Sequence, residues 1–330
     1  MTGPTVRTEA LMDDPVNGSV QAMLRELNDG FPHVETMTAP EARAAVAERR
    51  VPASNVDDVR GTVDASVPGP DGEIPVRIYH PHGDSARNRP GILFCHGGGF
   101  VLCDIESHDG FCRALARGSE AVVVSVGYRL APEHPAPAAA LDSFAAFCWM
   151  IDHAADLGID PERTAVAGDS AGGNLAAVTA ILCRERGVTG PAAQLLLYPV
   201  IDPSFETDSY HRYATGYFNT REAMRWYWRQ YLGGEPILEP SYLVAPARAD
   251  SHVGLPPAVI VTAGLDPLHS EGCDYARRLS EAGVVHRDYP GLYHGFMTNP
   301  SFPAAASALR LVHRDLRPLL HPTPAGSSAT

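Results

Sequence analysis

The chain has 330 residues, enough for one large α/β domain or two small ones with a sizeable core. Hydrophobic residues make up 45% and charged residues 20%, the balance of a soluble globular protein, and the formal net charge of −13 argues against nucleic acid phosphates and anionic membranes as partners. No run of about 18 apolar residues exists to span a bilayer, and the start MTGPTVRTEALMDDPVNG lacks the apolar segment of a signal peptide.

In chain order, residues 1–50 hold two predicted helices, around SVQAMLRELNDGF and APEARAAVAERR. VDASVPGPDGEIPVRIYHP follows, two β-rich runs about a Pro-Asp-Gly turn, which reads as a hairpin. The pattern then alternates. GILFCH, AVVVSVGYRL, RTAVAGDS, AQLLLYPV and AVIVTAG read as strands, with helical stretches between them such as AALDSFAAFCWMIDHAADLG, AGGNLAAVTAILCRERG and SEGCDYARRLSEAG. Continuous Val, Ile and Leu strands separated by helices imply a mainly parallel sheet covered on both faces. The segment between LLLYPVIDP and GLPPAVIVTAG carries no strand signal but contains REAMRWYWRQYL, in which Met224, Tyr227, Trp228 and Tyr231 share one helix face. That face either packs on the main core or lines the entrance of a site beneath a cap. An insertion after a central strand lands at the ligand-binding edge of an open α/β sheet, which favours the cap. The six cysteines are scattered in apolar or helical contexts without CxxC spacing, the pattern of reduced thiols in a cytoplasmic protein.

The strongest chemical signal is RTAVAGDSAGGNLAA. Gly168-Asp169-Ser170-Ala171-Gly172 is a G-x-S-x-G run between a strand and a helix, the context of a nucleophile elbow. A serine hydroxyl needs a base, and the base needs an orienting carboxylate, in the chain order Ser, acid, His. Asp266 follows the AVIVTAG strand, where helix N-capping is its other role, and His294 follows the next strand beside Gly295. His286 lies inside that strand, His313 and His321 fall in the last helix and tail, and His269 reads as a solvated residue at a helix start. HGGGF, at residues 96–100, then has an explanation. Backbone N–H groups of Gly98 and Gly99, with that of Ala171, can hold the negative charge of a tetrahedral intermediate only if no Cβ intervenes. Gly97 belongs to the same loop, and His96 braces it.

HGGGF, YRLAPEHPAPAA, GDSAGG, DPL followed by EG, and YHGF, in order from about residue 60 to about residue 300, resemble the hormone-sensitive lipase family of esterases in its GDSAG branch. The resemblance implies an α/β-hydrolase fold and hydrolysis of short- to medium-chain acyl esters by Ser170, Asp266 and His294. It also implies oxyanion donors at Gly98 and Gly99, no metal or organic cofactor, and a capacity to form homodimers. The expected organisation is N-terminal cap helices over 1–50, a first core part over 51–204, a cap insertion over 205–245, a second core part over 246–320 and a flexible tail over 321–330. Tyr217, Phe218 and Trp228, with Tyr213 and Trp226, are expected to enclose the acyl group, or else to pack inside the cap. The same triad serves amidases, lactonases and deacetylases of small metabolites. A non-catalytic receptor resembling the plant gibberellin receptors is disfavoured, because those lack the triad histidine and His294 is present. One departure from the family is DPLHSEG, where relatives often carry Arg and Asp at the positions of His269 and Ser270.

Overall fold

Apolar runs buried on both faces form strands only inside a covered sheet, and here they do so in the order the alternation predicts. The computed structural model describes residues 5–8, 15–83, 88–299 and 302–322, so the expected tail lies, from residue 323 onward, outside the described residues. The strands are β1 (Thr5–Thr8), β2 (Val59–Gly69), β3 (Gly72–Pro81), β4 (Arg89–Cys95), β5 (Val122–Val126), β6 (Ile159–Asp169), β7 (Ala193–Leu197), β8 (Ala258–Leu265) and β9 (Val284–Tyr293). The helices are α1 (Pro15–Gly30), α2 (Ala39–Ala47), α3 (Asp109–Ser119), α4 (Ala138–Asp152), α5 (Ala154–Leu157), α6 (Ala171–Arg186), α7 (Asp208–Arg212), α8 (Arg221–Leu232), α9 (His269–Arg278) and α10 (Pro303–Leu320).

Among the described residues the strands make one sheet in the order β1-β9-β8-β7-β6-β4-β5-β3-β2. β2 and β3 form the expected hairpin, with Gly69 opposite Gly72. β3 joins β5 antiparallel, and every pairing from β5 across to β1 is parallel. β1 is a difference from the sequence reading. Thr5–Thr8 adds an edge strand, Thr5 opposite Val285, where only helices were expected. Four residues are too few to show a period.

Alternate side chains of each inner strand feed two cores. Ile92 and Phe94 of β4 join one core with Phe111 and Leu115 of α3 and Val312 and Leu316 of α10. Leu93 and Cys95 face the other core, with Phe147 of α4 and Leu175 and Val178 of α6. α8 belongs to the insertion between β7 and β8, yet its aromatic face is buried. Phe100, at the end of the HGGGF run, stacks on Tyr231 with ring centroids 3.8 Å apart, and Trp228 lies 5.8 Å from Phe100. The two readings of this helix therefore meet. It sits over the sheet edge and it packs into a core. Among the described residues no helix is long and apolar enough to cross a membrane.

Candidate active site

The parallel strands β4, β6, β8 and β9 all end at one edge of the sheet, and each delivers part of the site there. Ser170 sits between β6 and α6 with φ +54° and ψ −119°, outside the regions that L-residues ordinarily occupy. This turn presses its flanking residues together. A Cβ on Gly172 would stand 1.9 Å from the Cys95 carbonyl oxygen, so only glycine fits. The Ser170 N–H donates to the Leu197 carbonyl at 2.8 Å and its own carbonyl accepts from the Val200 N–H at 3.1 Å, which fixes the turn to the β7 end.

Asp266 follows β8 and His294 follows β9. His294 Nδ1 lies 2.7 Å from Asp266 Oδ2, and His294 Nε2 lies 2.9 Å from Ser170 Oγ. Asp266 is fully buried, and its other oxygen accepts from the Leu268 N–H at 3.0 Å. One imidazole thus joins a hydroxyl and a carboxylate that lie far apart in the chain. The carboxylate fixes the proton on Nδ1 and leaves the Nε2 lone pair facing the hydroxyl.

The HGGGF loop lies beside Ser170. Gly98 and Gly99 have φ +115° and +61°, the left-handed region that glycine enters freely, and a Cβ on Gly99 would strike the Tyr227 ring at 2.2 Å. Among the described residues the N–H groups of Gly98, Gly99 and Ala171 have no hydrogen-bond acceptor, whereas the Gly97 N–H donates to Asp169 Oδ1 at 2.8 Å. His96 is buried, stacked 4.3 Å from the Tyr128 ring, and donates from Nδ1 to the Gly97 carbonyl at 2.7 Å. Burial depresses its pKa to about 4, so it stays neutral and props the loop.

Sequence reasoning missed the histidine–carboxylate contact beneath this loop. His108 Nε2 lies 3.1 Å from Asp169 Oδ1, both side chains nearly dry. Burial by itself would push the Asp169 carboxyl up, but His108 and the Gly97 N–H outweigh it and hold the carboxyl below its usual range. IESHDGF carries no recognisable motif, and only the folded loop reveals the partner. His269 also differs from its reading as a solvated residue, since Nε2 sits 2.9 Å from Asp288 Oδ1 of β9.

A cavity of about 520 Å³ opens over Ser170 and His294. Leu27 of α1, Phe31 just past its end, Leu102, Phe218, Met224 and Tyr227 supply its apolar wall, and Gly98 and Gly99 reach it. Phe218 was expected there. Tyr217 and Trp228 were expected as well, and the structure places both elsewhere. Tyr217 packs edge-on to Tyr213 with ring centroids 5.0 Å apart. Trp228 is 2% exposed, points to Phe100 and Tyr231, and lies one helical step past Tyr227, which takes the wall position instead. Tyr213 and Trp226 lie outside the wall too. Among the described residues no group of three His, Cys, Asp or Glu side chains is placed to hold a metal ion.

Comparison with known proteins agrees with this architecture. A family described as the alpha/beta hydrolase fold matches residues 92–298. The carboxylic ester hydrolase LipN of Mycobacterium tuberculosis is 45% identical over 241 residues, 71% of this chain and 64% of that one, so the match spans just under two thirds of this relative. The carboxylesterase NlhH of Mycobacterium tuberculosis is 40% identical over 320 residues, 93% of this chain and 96% of that one. Among solved structures, an ester hydrolase from the metagenome of Lake Arreo, complexed with a bipyridine phosphonate derivative, superposes with a TM-score of 0.84 at 38% identity, covering 93% of this chain and 98% of that one. The chain belongs to the α/β-hydrolase family, in its hormone-sensitive-lipase-like branch of carboxylic ester hydrolases.

Proposed function

We propose that the protein hydrolyses short- to medium-chain acyl esters through an acyl-enzyme formed on Ser170. The observation that carries the reading is the Ser170–His294–Asp266 chain of contacts, 2.9 Å and 2.7 Å long. His294 Nε2 takes the hydroxyl proton as Ser170 Oγ attacks the ester carbonyl carbon. The Asp266 carboxylate orients the ring and stabilises the imidazolium that forms. The carbonyl oxygen becomes an oxyanion, met by the unpaired N–H groups of Gly98, Gly99 and Ala171. His294 returns the proton to the departing alkoxide. It then deprotonates a water that attacks the acyl carbon, the bond from that carbon to Ser170 Oγ breaks, His294 returns the proton to Oγ, and the acid is freed. Each step uses groups of this chain and needs no further cofactor.

The acyl chain length follows from the cavity. Its wall of Phe218, Met224, Tyr227 and α1 gains about 0.8 kcal/mol per buried methylene until it is full, after which further methylenes must displace packed side chains. The reading makes a neutral ester the partner, in the cytoplasm, where the six unpaired cysteines stay reduced. The test is a panel of p-nitrophenyl esters from acetate to palmitate, with acetylated amines and sugars alongside. Ser170→Ala should lower kcat by about 10⁴ or more with the fold intact. A Ser170→Ala enzyme retaining a tenth of wild-type turnover would overturn the assignment of the nucleophile. Faster cleavage of palmitate than of butyrate would overturn the enclosed pocket alone.

A further inference from the structure

Away from the cavity, α9 presents a second group of nucleophilic and titratable side chains. His269 and Cys273 are four residues apart and so share a helix face. That face meets β8 and β9. Cys273 Sγ lies 3.6 Å from His269 Nε2, and the same nitrogen lies 2.9 Å from Asp288 Oδ1. Thr262 Oγ1 donates to Asp288 Oδ1 at 2.9 Å and sits 2.8 Å from His286 Nε2. The titratable groups at the sulfur are His269 from its own helix and His286 from β9, and Asp288 of β9 and Thr262 of β8 hold those two rings.

The geometry differs from a proton relay. A relay uses the two ring nitrogens separately, as His294 does, whereas here carboxylate and sulfur share one nitrogen. What the arrangement supplies is an imidazolium, fixed by Asp288, beside a sulfur. We propose that Cys273 is a thiolate paired with the His269 imidazolium, and that it is a site of covalent modification by small electrophiles and hydroperoxides. The surroundings make the thiol unusual in this chain. Burial pushes Cys95, Cys103 and Cys183 up to about 12 and raises Cys112 and Cys148 as well. Burial acts the same way on Cys273, but His269 and His286 outweigh it and bring it down to about 7, while Asp288 holds His269 up to about 10. Access remains, since His269 and Asp288 keep 27% and 19% of their side chains in solvent and Cys273 is half-buried.

With a hydroperoxide the step balances as follows. The Cys273 thiolate attacks the terminal peroxide oxygen, an S–O bond forms as the O–O bond breaks, and two electrons pass from sulfur to the peroxide. The departing alkoxide or hydroxide takes the proton of the His269 imidazolium. The products are the Cys273 sulfenic acid, neutral His269, and an alcohol or water.

The experiment is timed alkylation of the native full chain with iodoacetamide from pH 5 to pH 10, read peptide by peptide by mass spectrometry. A separate series treats the chain with hydrogen peroxide in the presence of dimedone. The wild-type rate at Cys273 should be half-maximal near pH 7. An ordinary thiol has its midpoint near pH 8.5. At pH 6 that shift gives about 30-fold more thiolate, reduced to about six-fold in rate by the weaker nucleophilicity of a low-pKa sulfur. Dimedone should tag Cys273. His269→Asn and Asp288→Asn should each move the midpoint upward and reduce the tag, with circular dichroism reporting that they fold. Because exposure changes rate but not midpoint, a structural role alone would leave the midpoint in place. A wild-type midpoint at 8.5 or above, or a midpoint unmoved in both folded variants, overturns the proposal. Cys273→Ser removes the tag and serves as the peptide control.

Discussion

Asp169 is adjacent to Ser170, the proposed nucleophile, yet faces away from it, into the glycine loop, and its replacement by asparagine separates the support of that loop from the reaction itself. Asparagine keeps the shape, and its Oδ1 can still accept from the Gly97 N–H, now at 2.8 Å from a charged oxygen. The charge is lost. A hydrogen bond to an ionised partner contributes about 1.5–3 kcal/mol and a neutral one about 0.5–1.5 kcal/mol, so Gly97 is held about 1–1.5 kcal/mol less firmly. The contact from His108 Nε2 at 3.1 Å loses its charged acceptor as well. Gly98 and Gly99 follow Gly97 in the chain, and an oxyanion donor out of place costs at most about 3–4 kcal/mol. The expected fall in kcat is therefore about 10-fold to 300-fold on p-nitrophenyl butyrate, with KM nearly unchanged because Asp169→Asn leaves the apolar wall alone.

Stability gives a second readout of the same variant. The Asp169 carboxyl titrates below its usual range in the folded chain. Its contribution is thus present above the unfolded value of about 3.9 and is lost as pH falls through the folded value. Wild type should exceed Asp169→Asn in urea midpoint at pH 7, and the gap should close on acidification below about pH 4. A kcat within twofold of wild type, or a loss confined to KM, would refute the bracing role.

Two further results are expected. Met224→Ala or Phe218→Ala should move the chain-length optimum to longer acyl groups, whereas Trp228→Ala should cost about 3–5 kcal/mol of stability and leave the optimum in place, as read from kcat/KM across the ester panel and from thermal unfolding. Glu271 is buried with Oε1 accepting from the Ile201 N–H at 2.7 Å, and burial holds its carboxyl well above the usual range, so wild-type stability declines as pH rises past the unfolded value of about 4.3. Glu271→Gln removes that decline, and its Tm relative to wild type should rise between pH 4.5 and pH 8. An unchanged difference would show that the carboxyl is ionised in the folded chain.

What the sequence discloses depends on how far apart the determining residues lie. The Ser170 turn is local. Strand, G-x-S-x-G and helix are contiguous, so the turn at φ +54° shows in five residues, although the Cys95 carbonyl of β4 is what excludes a Cβ at Gly172. The sites of Asp266 and His294 were legible for a topological reason, since loops after parallel strands share one edge, and that edge is where the fold puts them in contact. Helix periodicity carries less. It shows that Met224, Tyr227, Trp228 and Tyr231 share a buried face, but not what covers that face. One helical residue separates Tyr227, against the cavity, from Trp228, against Phe100, and the position of the HGGGF loop decides between them. His108 went unread and His269 was read as solvated for the same reason. Each finds its carboxylate on a different element, Asp169 at the end of β6 and Asp288 on β9, and no spacing within the chain encodes either meeting. In both cases the partner is set by sheet geometry. The end of β6 places Asp169 under the loop after β4, and the pairing of Thr262 with Asp288 across β8 and β9 fixes the surface on which α9 lays His269 and Cys273. A substitution that slipped this β8–β9 register by one residue would turn Asp288 to the other face and separate it from His269, while the Ser170 turn kept its local geometry.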